Sequence, residues 1–562
     1  MKARWKAALC CCLGFAVLAG LLEIALGWES GGQGAVAAVA FSHPSGFYDE
    51  DFFLELGDDG DPIYYTLDAT DPDVNSTPYT GPILIRDASP NENVYSAITD
   101  TSAFYDTDLL KQNGLEKKIK YVTPEAPVDK ATVVRAVRID AYGNRGPIST
   151  AVYFVGFGNK KGYAGLNIMA ITTAPANLFD EKEGIYVLGE AFNETIQDGI
   201  IPYRDEYVFK WPANYKQRGR EWEREADVQC FDPTGNLIFA GPCGIRIQGR
   251  ATRANMPKGL NIYARKEYGC ASFDTGGLFS RAYKLNRLNL FNGSDDLMLR
   301  DDLVNEMIGD IDVTRRECAP CALFLDGEYW GVYWLATRLK ADYLNQIYGV
   351  KKDNIIEIKS GLVEIGRDED EEQYQAMVSC IADEDMRLPE NFDRACELID
   401  LQSFIDYYAV EIYVANTDWP TNNYALWRSR RKVSDDWSDG RWRWMLYDLD
   451  ISMDAKDAEK DNLKYAISHD ALFESLMCND DVRDMFTQKL LQLARETFAP
   501  ERTDAFIDSY ETKMAEAIEK EYQRFYGEYD MDKRFYAGCE KIRAFFRQRQ
   551  AYIIKTYGGE EQ

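Results

Sequence analysis

Histidine is nearly absent from this 562-residue chain, which has only His43 and His469. A zinc site built on several imidazoles, or any chemistry needing two histidines in one pocket, is excluded. Basic residues are outnumbered: 64 Lys plus Arg stand against 93 Asp plus Glu, for a net charge of −29. Too little positive surface remains to neutralise a phosphate backbone, so the chain is no general nucleic-acid binder. Its surface is instead soluble, self-repelling and suited to cations. No G-x-x-x-x-G-K-S/T occurs, which removes a P-loop nucleotide site, and no internal repeat is visible. What the chain has in quantity is apolar residues, 46% of the total. That rules out wholesale disorder and, over this length, supports two to four domains.

Long apolar runs are confined to the N-terminus. Lys2, Arg4 and Lys6 precede an uninterrupted apolar run over 7–22, and Glu23 breaks it before Ile24. The run falls short of the roughly 20 residues of a spanning helix, while Ala25-Leu26-Gly27 offers a small-residue cleavage site. Residues 1–28 therefore read as a signal peptide or a membrane anchor. In both cases the rest of the chain is extracellular or at the cell surface, with no other membrane contact. Of twelve cysteines, Cys10, Cys11 and Cys12 lie in this segment, and an odd nine remain. At least one is then free or paired between chains if the others bridge. Cys318 and Cys321 form a lone C-x-x-C without a second pair at zinc-finger spacing, and read as a local disulfide or two buried thiols.

After a spacer with Gly31, Gly32 and Gly34, residues 36–157 look all-β. Strand-like runs at 52–56, 62–67, 83–86 and 132–139 are separated by Asp, Gly, Asn and Pro clusters, the pattern of a small Ig-like sandwich. The run Ile63-Tyr64-Tyr65-Thr66-Leu67-Asp68-Ala69-Thr70-Asp71-Pro72, followed by Tyr79-Thr80-Gly81-Pro82-Ile83 and Val134-Arg135-Ala136-Val137, resembles the small β-sandwich at the C-terminal end of chitobiases and hexosaminidases. That resemblance implies an accessory module. Exposed aromatics would contact carbohydrate, and the simpler reading makes the aromatics its core. From Gly156-Phe157-Gly158, read as a linker, the pattern turns α+β over 158–562. A strand is expected at 168–173, and a helix over 394–415 with Leu398, Ile399, Phe404, Ile405, Tyr408 and Ile412 at helical spacing. The tail over 482–557 is nearly continuous amphipathic helix, a helical C-terminal lobe. The acidic stretch 368–372 reads as a solvated loop.

Chemistry concentrates after that helix. In Asn416-Thr417-Asp418-Trp419-Pro420-Thr421-Asn422-Asn423, Asp418 and Asn423 stand as D-x-x-x-x-N. This is the spacing by which a kinase catalytic loop lets its Asp accept the acceptor hydroxyl's proton while its Asn holds magnesium. About 25 residues on, a strand-like run ends in Tyr447-Asp448-Leu449-Asp450, where a carboxylate at a strand end suits a phosphate-bridging Mg²⁺ or Mn²⁺. Spacing alone admits Asp448 and Asp450 equally as turn caps. Upstream, Arg250, Arg253 and Lys258 stand at the tip of a hairpin over 245–263, either a phosphate cradle or an ordinary basic turn.

The order of segments carries more than any one of them. Gly184-Ile185-Tyr186-Val187, Asn214-Tyr215-Lys216-Gln217-Arg218-Gly219, the hairpin, Leu299-Arg300-Asp301-Asp302 and Leu325-Asp326-Gly327-Glu328-Tyr329-Trp330-Gly331 come first. The Asn416 loop and Tyr447-Asp448-Leu449-Asp450 follow. Together, over roughly 160–500, they resemble the spore coat CotH kinase family, itself similar to atypical secretory-pathway kinases such as the Golgi casein kinase. The resemblance implies a secreted ATP-binding enzyme that uses a divalent metal to phosphorylate Ser or Thr of an exported or cell-surface protein. Residue by residue it implies Asp418 as the catalytic carboxylate, Lys258 at the nucleotide phosphates with Arg250 and Arg253 beside it, and Asp448 as metal ligand. Asp450 would assist the metal, and Asn423 joins it from the loop spacing. Two departures stand out. Thr337 occupies the position of the family's usual Glu and cannot pair with Lys258, and Asp450-Ile451-Ser452-Met453 lacks the usual glycine. Both point to weak or absent kinase activity, so the alternative is a catalytically silent CotH-like cell-surface binding or assembly protein. A glycoside hydrolase is disfavoured, since no barrel-like βα repetition accompanies the sandwich.

Overall fold

The computed structural model describes residues 36–57, 60–105, 107–292, 297–434 and 436–558. The segment read as a signal peptide or anchor lies outside the described residues. Among those described, no helix is long and apolar enough to cross a membrane.

Strands form where apolar and polar residues alternate. Ile83–Ile85 buries both isoleucines and exposes Leu84, and it pairs antiparallel with Phe52–Leu54. This ribbon faces a five-stranded sheet ordered Gly46–Tyr48, Ser149–Val155, Thr132–Arg138, Ile63–Thr66, Thr77–Pro78. Leu54 and Ile85 from the ribbon share one core with Ile63, Val134 and Tyr153 from the sheet. The N-terminal region is thus β-rich, as its alternation predicts, in two layers of five and two strands.

The expected boundary at residues 156–158 is not a linker. Phe154 stacks on Phe47 at 4.7 Å and meets Phe157, Phe231 and Phe324 edge-on at 5.1, 5.8 and 5.0 Å, so the core continues across it. Gly156, at φ 73°, turns the chain straight into buried Phe157. Residues expected inside the sandwich also leave it. Tyr95, Tyr105, Leu110 and Tyr121 share a core with the next unit. Glu328 accepts from Val94 N and Ser96 N, each at 2.7 Å, and Ala131 N donates to Gly327 O at 2.8 Å. The 36–157 and 158–562 segments are therefore joined by shared cores.

The next unit is a closed seven-stranded barrel. Its strands follow in the order Leu237–Ile247, Leu260–Tyr263, Arg287–Phe291, Glu328–Thr337, Cys318–Leu325, Asn167–Thr172, Arg224–Phe231, and the last pairs with the first. Period-two positions such as Ile245, Ile262, Leu288 and Leu335 fill the interior. Cys318 and Cys321 stand three apart on one strand, so they leave it on opposite faces. All nine described cysteines are unpaired, which makes the C-x-x-C two thiols.

The C-terminal half builds a second five-stranded sheet, ordered Thr314–Arg315, Arg443–Leu446, Ala425–Ser429, Ile355–Lys359, Leu362–Ile365, and adds helices to it. The helix expected over 394–415 is two, Pro389–Leu398 and Leu401–Tyr413. Ile399 is extended at φ −118°, and Asp400 caps the second helix by accepting from Ser403 N at 3.1 Å. The tail likewise divides, with Pro500 opening Pro500–Tyr526 and Ala537–Tyr557 following. The acidic stretch is no loop. It opens the helix Glu369–Ala382, and Asp370 is buried against the Arg430 fork at 3.0 and 2.5 Å. Arg549, 1% exposed, donates to Tyr413 O (3.0 Å), Ile412 O (2.6 Å), Ala458 O (3.0 Å) and Lys460 O (2.8 Å). It thereby locks the C-terminal end of Leu401–Tyr413, from which the candidate site begins.

Candidate functional site

Leu401–Tyr413 is buried on every side from Ser403 onward, so its ionisable residues must be accounted for individually. Asp406 is paired with Lys489 at 2.9 Å. Glu411 is fully buried. Its Oε2 accepts from Asn416 Nδ2 at 2.9 Å, its Oε1 has no hydrogen-bond partner among the described residues, and burial pushes its carboxyl up to about 8. The chain leaves the helix through Ala415 at φ 53°. Asn416 Oδ1 then accepts from Asp418 N at 3.1 Å, and Asp418 Oδ2 accepts the side-chain amides of Asn422 and Asn423 at 3.0 and 2.8 Å. Among the described residues Asp418 Oδ1 has no partner. The loop is pinned from the far side, since Thr417 N donates to Ile451 O at 3.1 Å and Met453 N to Val414 O at 2.8 Å.

Past Asn423, at φ 53°, the chain runs up Ala425–Ser429 and returns along Arg443–Leu446 to Asp448, at φ 66°. Left-handed backbone costs a non-glycine residue roughly 1–2 kcal/mol and concentrates at functional sites. Burial raises the Asp448 carboxyl's pKa, Asp301 raises it further and Asp418 adds to that, while Arg316 and Lys359 oppose. Asp301 pairs with Arg316 at 3.0 Å and accepts from Leu449 N at 3.4 Å. The Lys359 ammonium lies 4.5 Å over the Tyr447 ring. Beside it, Lys340 bridges Glu357 and Glu364 at 3.0 and 2.8 Å. Three carboxylates thus share one electrostatic neighbourhood with few cations. The donor set is all oxygen, which fits a hard divalent cation. Among the described residues, however, no three of His, Cys, Asp or Glu stand close enough together to hold a metal ion.

The structure brings Asp418, Asn423 and Asp448 together, with Asp450 half-buried two residues after Asp448. The basic residues at the tip of the hairpin have other partners. Lys258 is fully buried, its Nζ donating to Arg253 O and Asn255 O at 2.6 and 3.3 Å and lying 3.8 Å over the Tyr215 ring. Burial, then Arg253, holds its pKa well below the ordinary lysine value. The Arg253 guanidinium is engaged by the carbonyls of Gly249, Tyr215, Gln217 and Ile247 at 2.8–2.9 Å. Arg250 is exposed. No carboxylate of the Asp448 group is among the partners of these three residues. Thr337 ends its strand buried, its Oγ1 accepting from Glu317 N at 3.0 Å. The sequence reading passed over Asp301, Arg316, Lys340, Lys359 and Glu411 as site residues. Only Glu411 offered a local signal, as a carboxylate inside an otherwise apolar helix.

A family model described as CotH kinase protein matches residues 245–553, which contain every one of these site residues. The chain belongs to the CotH kinase protein family. A second model, described as Fn3 associated, matches 53–153 in the β-rich N-terminal region. Comparison with curated proteins gives no match. The CotH kinase match begins within the strand Leu237–Ile247, so two of the strands that close the barrel, Asn167–Thr172 and Arg224–Phe231, precede the matched segment.

Proposed function

We propose that this CotH kinase family member is an exported, ATP- and metal-dependent protein kinase acting on serine or threonine of extracellular or cell-surface proteins. The observation that supports it best is the arrangement at Asp418, where two asparagine amides fix Oδ2 and leave Oδ1 open next to Asp448. In this reading Asp418 Oδ1 accepts the proton of the acceptor hydroxyl. Asp448 and the Asn423 carbonyl oxygen, with Asp450 beside them, would hold Mg²⁺ or Mn²⁺, which when bound neutralises charge on the ATP phosphates. In this reading Lys340, held between Glu357 and Glu364, takes the role at the nucleotide phosphates in preference to the carbonyl-bound Lys258. Such a lysine–glutamate pair is what a kinase needs in position alongside its metal aspartate.

A second reading, a catalytically silent cell-surface binding or assembly protein, is favoured by Thr337 at the position of the family's glutamate. Tyr142 and Phe53, 92% and 62% exposed on the N-terminal β region, are the aromatics such a protein would present to carbohydrate. The two readings part on incubation of the chain with labelled ATP and Mn²⁺ or Mg²⁺. The kinase reading expects phosphate transfer. Asp418→Asn should then lower turnover on the order of 10²-fold with Mn²⁺-ATP still bound, and Asp448→Asn should lose binding and turnover together. A wild type that transfers no phosphate and gains no melting temperature from Mn²⁺-ATP refutes the kinase reading.

A further inference from the structure

On a chain with a net charge of −29, four arginines converge on one outer face of the barrel. In the strand register Arg246 opposes Asn261, Asn261 opposes Asn289 and Tyr263 opposes Arg287. These residues alternate with Ile245, Ile262 and Leu288, which fill the interior, and so project outward. The guanidinium carbons of Arg246, Arg265 and Arg287 lie 4.4, 4.8 and 5.4 Å from the centre of the Tyr263 ring, and that ring is itself 3% exposed. Arg338 joins them through Nη1, donating to Asn261 Oδ1 at 2.9 Å. The counter-charge is thin. Glu223 takes Arg265 bidentately at 2.6 and 2.8 Å and stands 3.5 Å from Arg246, and Glu267 lies 4.0 Å from Arg265. Among the described residues Arg287 has neither a hydrogen bond nor an ion pair, and Asn289 Oδ1 is buried without a partner.

A half-buried guanidinium with no acceptor, set among like charges, is costly unless something else supplies the acceptors. Its planar fork matches the oxygens of a phosphate bidentately, and a tyrosine face under several guanidinia holds them without using their donors. We infer that this face is a phosphate-binding site, with Arg246, Arg287 and Arg338 as its cations, the first two held over the Tyr263 ring and Arg338 by Asn261. Arg338 and Lys340 act on one carboxylate, Glu364. The site does not depend on phosphoryl transfer at Asp418. The phosphate belongs either to a nucleotide or to a separate molecule.

The test titrates the full chain with inorganic tripolyphosphate in EDTA by calorimetry at two salt concentrations. Expected is one-to-one binding that weakens with salt, weakens at least tenfold in Arg287→Gln, falls between in Arg287→Lys, and changes less than twofold in Asp448→Asn. Among the described residues Arg287 has no hydrogen bond or ion pair to lose, only its contact with the Tyr263 ring, and it stands among like charges, so Arg287→Gln should melt at or above the wild-type temperature in phosphate-free buffer. Arg338→Gln reads the same site should that variant misfold. Displacement of tripolyphosphate by ATP but not by adenosine assigns the site to nucleotide phosphates, and simultaneous binding of tripolyphosphate and Mn²⁺-ATP assigns it to a separate phosphate. Absent tripolyphosphate binding in the wild type, or equal affinity in Arg287→Gln, overturns the inference. An inert kinase would leave it standing, because every readout is binding without metal.

Discussion

Arg549 joins the C-terminal helix to the loop that carries Asp418, and replacing it with methionine measures how firmly the site is held. Methionine keeps most of the aliphatic stem and removes every donor. Four carbonyls that now accept at 2.6–3.0 Å, those of Ile412, Tyr413, Ala458 and Lys460, would face a site with 1% exposure. An unsatisfied buried acceptor costs about 1–3 kcal/mol, and removing a cation from a helix C-terminus costs up to about 2 kcal/mol more. The guanidinium's own burial penalty, which depresses its pKa, is recovered and offsets part of the sum. The net expected loss is about 3–5 kcal/mol, as when one side of a buried polar network is removed. Arg549→Lys offers three donors from a single point in place of a fork and should lose roughly half as much. Urea unfolding of the full-length variants reads both values. Should Arg549→Met fall within 1 kcal/mol of wild type, the four carbonyls find other partners and the anchoring argument fails.

Two further outcomes follow from the buried groups and the shared cores. Glu521 is buried on the helix Pro500–Tyr526, accepts from Val332 N at 2.5 Å, and is pushed up to about 8 by burial. Between about pH 4.5 and 8 the folded chain keeps a proton that the unfolded chain releases, so this carboxyl's contribution to stability is intact below pH 4.5 and drains away as pH rises through that window. Glu521→Gln keeps an acceptor for Val332 and removes the titration. Its urea midpoint should match wild type near pH 5 and exceed it by a few kcal/mol equivalent near pH 8, and parallel profiles would contradict this. A fragment beginning at residue 158 leaves bare the barrel surface covered by Tyr95, Tyr105 and Tyr121 and frees the Glu328 carboxylate from Val94 and Ser96. It should be insoluble or melt well below the 36–562 chain, and a soluble fragment with an unchanged melting temperature would show that the shared cores contribute little.

The local features of this molecule were readable from the sequence and the non-local ones were not. Strands such as Ile83–Ile85 and Thr132–Arg138 announce themselves by alternation and turn residues, and the D-x-x-x-x-N loop by its spacing. The barrel does not. It closes by pairing Asn167–Thr172 parallel to Cys318–Leu325, a register no local window contains. The basic hairpin misled because a cation reads the same in sequence whether it faces solvent or carbonyls. What decides for Arg253 is the carbonyl of Tyr215, 38 residues earlier. Glu411 was passed over because helical periodicity treats a glutamate as part of a polar face, and Leu401–Tyr413 has no polar face.

The charges near Asp448 and Tyr263 have an order that the net charge conceals. On one side Asp301 and Asp418 repel Asp448, with Arg316 and Lys359 opposing them. On the other, Arg246, Arg265 and Arg287 crowd Tyr263 with Arg338 acting on Arg287, and Glu223 and Glu267 are the carboxylates set against them. Lys340 bridges Glu357 and Glu364, and Lys359 is acted on by all three. Like charges held this close oppose folding, and so does left-handed backbone at Ala415, Asn423 and Asp448. Such costs persist only where the surroundings over-determine them. Here the buried helix, the Arg549 cap and the Met453 to Val414 hydrogen bond do so. A cation on the acidic side and a phosphate on the arginine side would each relieve the like-charge repulsion there.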